Sequence, residues 1–192
     1  YKGISLMSIA TETYNRLILN QIYDPVLVVL RPNQAGFRKY MSGVEQIQTL
    51  RRIIEGAREK DLPVITTFVD FSKAFDSIKR EVMWKILRHY GIPEKIVNAI
   101  QCLYETSTSS VQLNGQLSEP FNVNSGVLQG DTLAPFLFIV VLDFVLHKIK
   151  PGFGFTTSIH PTIRLEDLDY ADDISLPDNH TATAQEHLRC LQ

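Results

Sequence analysis

The chain has 192 residues, of which 44% are hydrophobic, enough to bury one good core or at most two small ones. Its formal net charge is −2, from 19 basic and 21 acidic residues, which excludes a global positive field that would attract nucleic acid. Any contact with a polynucleotide must therefore come from local patches.

The most apolar segment, Leu133 to Leu146, is too short to span a bilayer and contains Asp143, so we expect a core helix and no membrane association. The two cysteines, Cys102 and Cys190, lie within helical patterns, far apart from each other and without the Cys and His spacing of a zinc site. This spacing predicts neither a disulfide framework nor a zinc site. Buried thiols in a reducing compartment are the expected state.

The first third of the chain predicts two helices and a connector. From Lys2 to Ile22 the apolar residues fit an irregular start followed by a helix, with better helical spacing after Thr11. Residues 24–32 are interrupted by prolines and have no helical register, so we expect a connector or an edge strand. From Gly43 a second helix is predicted, with apolar residues on one face and charged residues on the other, the charged face being interpreted as solvent-exposed. The apolar residues are Val44, Ile47, Leu50 and Ile54.

An apolar run from Val64 to Val69 is rich in β-branched and aromatic residues and predicts a largely buried strand that ends at Asp70. A helix over residues 78–87 is expected to stop at Gly91, and Pro93 begins another helix. Asn114-Gly115 predicts a hairpin, because these residues tolerate the positive φ angles of a type I′ turn. A glycine-containing loop over residues 125–131 then precedes a deeply buried helix.

Downstream, Tyr170-Ala-Asp172-Asp173 is flanked by apolar residues and predicts a strand, a tight turn and a second strand, followed by a helix over residues 184–191. If the end of this hairpin lies beside the end of the Asp70 strand, three acids meet. Like charges at close range repel unless a cation lies between them, and carboxylate oxygens suit Mg²⁺. The pattern suggests two-metal phosphoryl or nucleotidyl transfer, although either motif alone is often ordinary strand-end or turn chemistry.

Three segments in this order closely resemble the palm motifs of reverse transcriptases of non-LTR (LINE-type) retrotransposons, and the resemblance spans nearly the whole chain. They are Phe68-Val-Asp-Phe-Ser-Lys-Ala-Phe-Asp76, Gly126-Val-Leu-Gln-Gly-Asp-Thr-Leu-Ala-Pro135 and Tyr170-Ala-Asp-Asp173.

The resemblance implies template-directed DNA synthesis, with an RNA template, a DNA primer and deoxynucleoside triphosphates (dNTPs) as partners. It implies that Asp70 and Asp172 bridge two Mg²⁺ ions, which Mn²⁺ can replace, with the Phe71 carbonyl as a further ligand. Asp173 is the third catalytic carboxylate and is expected to support the metals or the primer end. By the same resemblance the protein acts inside the cell, in the nucleus or the cytoplasm.

The resemblance also implies nucleotide-binding or template-binding roles for five residues. Lys2 lies in an opening fingers motif, where a solvated surface lysine is an equally good interpretation. Arg38 ends a second fingers motif, Asn33-Gln-Ala-Gly-Phe-Arg38, and its planar fork suits a triphosphate. Phe75 is the expected steric gate beneath the deoxyribose, with packing in the core as the alternative. Gln129 and Gly130 are expected to contact the incoming nucleotide and the template base, a purely structural loop being the alternative.

The sequence shows no internal repeat and no linker, so we predict one α+β unit, a partial reverse transcriptase domain over residues 1–192. Its architecture is that of the fingers and palm of a right-hand polymerase, with an antiparallel palm sheet backed by helices. Residues 1–63 are expected to be fingers-like and residues 64–192 palm-like. The chain begins at Tyr1 and ends soon after the acidic hairpin, so we expect a fragment of a longer protein, with the thumb absent and its activity in isolation left open.

Two alternatives stay open at the level of sequence. One is an inactive retroelement relic that acts at most as an RNA-binding or structural module. Met41 beside Ser42, Glu12 where a basic residue is expected, and Pro177 after the Asp173 strand favour this alternative. The other is an RNA-templated polymerase of another kind, such as a group II intron or telomerase-like relative. The intact acids and the form of the Gly126 motif favour the LINE-type branch.

Overall fold

The structure is a computed structural model that describes residues 5–105, 107–149, 152–157 and 164–191. Lys2, to which the sequence assigns a binding role, lies outside the described residues. The chain contains both helices and antiparallel strands, and this confirms the mixed helix and antiparallel-sheet content of the predicted α+β class. The elements are α1 (Ile9–Leu27), α2 (Gly43–Glu59), β1 (Ile65–Val69), α3 (Arg80–His89), α4 (Glu94–Glu105), β2 (Thr108–Ser109), β3 (Gln112–Leu113), β4 (Gln116–Leu117), β5 (Phe121–Asn122), α5 (Ala134–His147), β6 (Leu168–Tyr170), β7 (Asp173–Asp178) and α6 (Thr181–Arg189).

The chain divides into two compact units. The first takes in the chain up to Leu30 together with Lys73–Val141, and the second takes in Arg31–Ser72 together with the chain from Leu142 onward. Each unit has its own buried polar network, so each is described separately below.

Helix α1 of the first unit begins at a capped end and runs further than the sequence predicts. The Ser8 hydroxyl accepts a hydrogen bond from the Thr11 amide at 3.2 Å, which satisfies a backbone donor in the first turn. The helix then continues through Pro25 to Leu27, so the connector expected from residue 24 begins later. Burial explains the difference: Ile22 and Val26, four residues apart, are 2% and 3% exposed and keep the last turn packed.

The helix after the glycine-containing loop is deeply buried, as the sequence predicts. Leu133, Ala134, Leu137 and Val140 are each 0% exposed, because the start of α5 is apolar on all its faces. Among the helices of the described residues, none combines the length and the apolar character that crossing a membrane requires.

The Asn-Gly hairpin is also confirmed. Strand β3 pairs with β4 across Asn114 and Gly115, whose φ angles of +50° and +81° are those of a type I′ turn.

A buried carboxylate, Asp131, ties three parts of the first unit together. Its Oδ1 accepts hydrogen bonds from Asn15 Nδ2 at 2.6 Å and from the Leu133 amide at 2.9 Å, while its Oδ2 accepts one from the Tyr104 hydroxyl at 3.3 Å. Asp131 is only 3% exposed. Burial raises the pKa of Asp131 above its usual range, and burial together with the charge of Asp131 raises the pKa of Tyr104.

The second unit contains a three-stranded antiparallel sheet with the order β1-β7-β6. Ile65 pairs with Asp178 and Val69 with Ile174 on one side of β7, and Leu168 pairs with Ser175 on the other. Pro177 lies inside β7, not after it as the sequence suggested. Proline has no backbone N–H to donate to a neighbouring strand. Because β6 pairs with β7 only as far as Ser175, Pro177 interrupts no pairing between these two strands.

Three further expectations are wrong. Strand β1 is predicted to be largely buried, yet none of its residues is buried and Phe68 is 72% exposed. Of the apolar residues predicted for one face of α2, Val44, Ile47 and Ile54 are 60%, 68% and 48% exposed, and only Leu50 is half-buried. Helix α2 packs on β6, and its half-buried or buried positions follow a second helical stripe that begins at Gly43 and ends at Ala57. Cys102 and Cys190 both lie at exposed positions, so the expectation of buried thiols fails as well.

A buried histidine anchors α6 to the end of β7. His187 Nδ1 lies 3.1 Å from Asp178 Oδ2, and the other oxygen of Asp178 accepts a hydrogen bond from the Gly154 amide at 2.9 Å. The Phe153 ring stacks on the His187 imidazole at 4.8 Å between centroids. These contacts hold α6 against the end of β7 that lies opposite the acidic turn.

Arg31 binds three buried carboxylates, two at the start of β6 and one, Asp143, on α5. Its Nε lies 3.2 Å from Asp143 Oδ1, its Nη2 lies 3.3 Å from Asp169 Oδ2, and its Nη1 bonds to the Asp167 carboxylate. Burial, followed by the negative charge of Asp167, raises the pKa of Asp169 to about 8, against the opposing effect of Arg31. One arginine cannot balance three buried carboxylates, so a neutral Asp169 suits this cluster.

The Asp131 network predicts a large loss of stability on truncation. We expect Asp131→Ala to lower the free energy of unfolding by about 2 to 4 kcal/mol, because it leaves the Asn15 amide and the Tyr104 hydroxyl buried without their partner. Urea unfolding followed by circular dichroism measures the change. Asp24→Ala, at an exposed position of α1, is the control and should change stability by less than about 0.5 kcal/mol. Equal effects of the two substitutions would contradict the network.

The raised pKa of Asp169 predicts a pH dependence of stability. Because the folded-state pKa lies above the ordinary value of 3.8, the folded protein holds this proton more tightly than the unfolded chain. The stability that the folded protein gains by binding the Asp169 proton is fully present below pH 3.8 and is lost as the pH rises through about 8. Asp169→Asn keeps the shape and cannot titrate, so its melting temperature should fall less than that of the wild type across this range. The exposed Asp61→Asn is the control, and identical slopes for wild type and Asp169→Asn would refute the assignment.

Candidate active site

The acids predicted to act together leave the sheet of the second unit at one end. Strand β1 ends at Val69, which pairs with Ile174, so Asp70 and Asp173 are the next residues on neighbouring strands. On the other side of β7, Asp173 pairs with Tyr170, and Asp172 lies in the turn between them. Antiparallel pairing thus brings Asp70, Asp172 and Asp173 to the same edge, as the sequence predicts.

These carboxylates are accessible to a substrate. Asp70 and Asp173 are exposed and Asp172 is half-buried. Asp70 and Asp173 also line a cleft of about 330 Å³ on the surface of the second unit, together with Phe68 and Tyr170. The edge of the sheet therefore offers negative charge beside an open, partly apolar space.

The donor set at this edge fits a hard divalent cation. Within the described ranges, no group of three or more His, Cys, Asp or Glu side chains is gathered so as to hold a metal ion. Mg²⁺, however, usually binds through one or two carboxylates and keeps waters or substrate phosphates as its other ligands. Asp70 and Asp172, with the carbonyl of the half-buried Phe71, could provide oxygen ligands of this kind.

A contact that the sequence did not reveal holds the acidic turn. Gln34 is buried, and its side chain hydrogen-bonds to both the amide and the carbonyl of Ala171, the first residue of the turn. In the sequence, Gln34 lies in a motif identified with triphosphate binding. The one local feature that could have indicated this contact is Gly36, because glycine permits a close backbone approach. A Cβ at Gly36 would lie 2.2 Å from the Ala171 nitrogen.

Arg38 lies in the same segment and is partly engaged with the backbone. Its Nη1 donates hydrogen bonds to the carbonyls of Arg31 at 2.7 Å and Gln34 at 3.1 Å. The side chain is therefore oriented by the segment that carries it, and its triphosphate-binding role stays a prediction.

In the first unit, the loop that carries Gln129 and Gly130 is fixed by backbone contacts. The Ser5 amide donates to the Gln129 carbonyl at 2.6 Å, and Gly130 has a φ of +112°. A Cβ at Gly130 would meet the Ser5 carbonyl oxygen at 2.2 Å, so only glycine fits. Gln129 is half-buried and Gly130 exposed, and their predicted contacts with nucleotide and template stay predictions.

Phe75 packs in the core of the first unit. It is 8% exposed, and its ring stacks on Phe138 with centroids 4.4 Å apart and an angle of 8° between the planes. The packing role given as the alternative in the sequence analysis is therefore present. A steric gate would use the remaining exposed edge of the same ring, and that role stays a prediction.

Known proteins resemble this chain over most or all of its length. A family model described as "Reverse transcriptase (RNA-dependent DNA polymerase)" matches residues 1–192. The chain is 28% identical over 176 residues to a Pol polyprotein from the retrotransposable element R2 of Nasonia vitripennis, covering 92% of this chain and 17% of that protein. It is 27% identical to the R2DM polyprotein of Drosophila melanogaster (80% of this chain, 14% of the relative). It is 29% identical to the probable RNA-directed DNA polymerase from the Drosophila melanogaster transposon BS (73% and 16%).

Solved structures show the same fold at much lower identity. Apo telomerase from Candida tropicalis aligns with a TM-score of 0.57 and 13% identity, over 94% of this chain and 36% of that one. Telomerase from Candida albicans, in complex with a fragment of telomeric RNA, aligns with a TM-score of 0.59 and 11% identity, over 94% and 31%. The family match over the whole chain, together with the relatives from R2 and other non-LTR elements, establishes that this chain belongs to the reverse transcriptase family of RNA-directed DNA polymerases.

Proposed function

We propose that the chain forms the fingers and palm of an RNA-directed DNA polymerase, which joins a dNTP to the 3′ hydroxyl of a primer on an RNA template. The observation that carries the proposal is the register of β1, β7 and β6, which places Asp70, Asp172 and Asp173 at one edge of one sheet. We assign residues 1–63 to fingers and 64–192 to palm. The chain spans 17%, 14% and 16% of the three relatives named above, so the activity of such longer proteins belongs to this proposal.

In the proposed reaction, Asp70 and Asp172 hold Mg²⁺, and the Phe71 carbonyl is a further ligand. Bound divalent ions supply Lewis-acid stabilisation of the charge on the hydroxyl and the phosphates. The positions of Asp70 and Asp172 determine where the ions would bind, and so they orient the primer hydroxyl and the phosphates. Asp70 is exposed and Asp172 is half-buried, which leaves room for substrate oxygens. Asp173, next to the turn, orients the primer end or supports the other two carboxylates.

The remaining predicted residues are assigned to substrate binding. Arg38 and Lys2 contact the triphosphate or the template as cations. Gln129 and Gly130 contact the nucleotide and the template base through the fixed loop described above, and Phe75 excludes the 2′ hydroxyl. These roles rest on the family motifs.

The first test removes one carboxylate. We expect Asp70→Asn to lower the affinity for Mg²⁺ in the presence of dNTP by about tenfold or more, because a neutral amide is a weaker ligand for a hard cation than a carboxylate. Isothermal titration calorimetry measures the affinity. Single-nucleotide extension on an RNA template, with the chain in excess over primer–template, measures the reaction.

Asp61→Asn is the matched control, because Asp61 is an exposed aspartate in the loop before β1 of the same unit. It should behave as the wild type in both measurements. Unchanged Mg²⁺ uptake in Asp70→Asn would contradict the metal assignment. A wild-type chain that takes up Mg²⁺ with dNTP and binds RNA but never extends a primer would instead favour the inactive relic.

The second test separates the gate from the core at Phe75. If Phe75 excludes ribose, Phe75→Val should raise the ratio of ribonucleotide to deoxyribonucleotide incorporation by about tenfold or more. Because the ring also stacks on Phe138, the same change should cost about 1 to 3 kcal/mol of stability. Single-turnover incorporation of each nucleotide and a thermal melt measure the two effects.

Phe138→Leu is the control for packing, because Phe138 is the stacking partner within the first unit. It should lower stability to a similar extent without changing the ribose-to-deoxyribose ratio. An unchanged ratio in Phe75→Val would leave Phe75 with its packing role alone.

A further inference from the structure

The turn that carries Asp172 has an unfavourable backbone conformation. Two residues, Ala171 and Asp172, connect the pair formed by Tyr170 and Asp173. Ala171 has a φ of +56°, in the left-handed region that L-residues other than glycine rarely adopt. In a two-residue hairpin, positive φ at the first central position is usually provided by glycine, asparagine or aspartate, and alanine is unfavourable there. Something outside the turn must therefore hold Ala171 in place.

Gln34 makes the contacts that this requires. Its Oε1 accepts hydrogen bonds from the Ala171 amide at 2.8 Å and the Gly36 amide at 2.7 Å, and its Nε2 donates to the Ala171 carbonyl at 3.1 Å. The side chain is 2% exposed, so water does not compete for these bonds. One amide thus engages both peptide groups that flank the Ala171 Cα and fixes the orientation of each.

Gly36 makes this approach possible. A Cβ there would lie 2.2 Å from the nitrogen and 2.7 Å from the Cα of Ala171, and 2.9 Å from Gln34 Oε1. Any side chain at position 36 would push the segment away from the turn. The contacts of Gln34 with Ala171 therefore depend on glycine at position 36.

The segment that carries Gln34 is attached to β6 independently of its side chain. The Ala35 amide donates to the Asp169 carbonyl at 2.9 Å, and the Asp169 amide donates to the Asn33 carbonyl at 3.2 Å, as in a short parallel strand. The Asn33 side chain also donates to the Asp167 carbonyl at 3.1 Å. Loss of the Gln34 amide should therefore release the turn without detaching the segment.

We propose that Gln34 is a positioning residue, which holds Ala171 in the left-handed conformation and so sets the direction of the Asp172 carboxylate that follows it. The catalytic part of this inference rests on the proposed function, whereas the hold on the turn does not. Gln34 touches the backbone of the turn and no reacting atom, so it acts on the reaction through Asp172.

The test uses Gln34→Met, which keeps the length of the side chain and removes its amide. We expect the Ala171 amide to exchange with solvent hydrogen about tenfold faster or more, while Leu176 in the middle of β7 exchanges at the wild-type rate. The maximal rate of single-nucleotide incorporation should fall by a similar factor with little change in the KM for dNTP, because the carboxylate is misdirected but the nucleotide contacts remain. Two-dimensional NMR measures exchange in the unligated chain.

Gln46→Met is the matched control. Gln46 is a half-buried glutamine whose Nε2 donates to the Asn33 carbonyl at 2.8 Å, so it contacts the same segment without touching the turn. Exchange at Ala171 should stay at the wild-type rate in this variant.

Unchanged exchange at Ala171 in Gln34→Met would overturn the proposal, and so would equal acceleration at Ala171 and Leu176, which would indicate general destabilisation. A wild-type chain that incorporates no nucleotide would count against the proposed function, while the exchange experiment would still decide whether Gln34 holds the turn. Faster exchange with an unchanged incorporation rate would reject the positioning role alone.

Discussion

The antiparallel pairing of β1 with β7 is the constraint on which the candidate site depends. The two strands are separated by more than a hundred residues of sequence, yet Val69 pairs with Ile174, and this register alone brings Asp70 beside Asp173. A shift of one residue would move Ile174 and Leu176 to the opposite face of the sheet, where Ser175 and Pro177 now lie, so the packing of these apolar side chains fixes the register. The position of the acids is in this sense a consequence of packing in the core.

Each unit also contains a buried ionisable network, and neither network is part of the proposed reaction. Arg31 with its three carboxylates forms the network of the second unit, and Asp131 with Tyr104 and Asn15 forms that of the first. Buried charges of this kind contribute little net stability compared with apolar packing, but breaking them is costly. In the first unit, Asp131 also accepts a hydrogen bond from the Leu133 amide, which satisfies a backbone donor just before α5.

Similarity to known proteins falls into two ranges that carry different information. Relatives from R2 and BS elements share 27% to 29% identity, and the match to their family covers the whole chain. Telomerase structures share only 11% to 13% identity at TM-scores of 0.57 to 0.59. A fold retained at such low identity depends on the pattern of buried positions more than on particular residues. The family match is what suggests a role for the acidic turn, and the strand pairing is what sets its geometry.

The sequence by itself determined the elements whose signals are local. The Asp70 strand, the Asn114-Gly115 turn, the acidic hairpin and the buried α5 all follow from β-branched runs, turn residues or continuous apolar character, and the structure contains each of them. What local signals could not decide was which of two helical stripes of α2 packs, whether α1 continues past Pro25, and that Gln34 holds the acidic turn. These outcomes depend on neighbours distant in the sequence, since hydrogen bonds and burial between such neighbours exist only once the chain has folded.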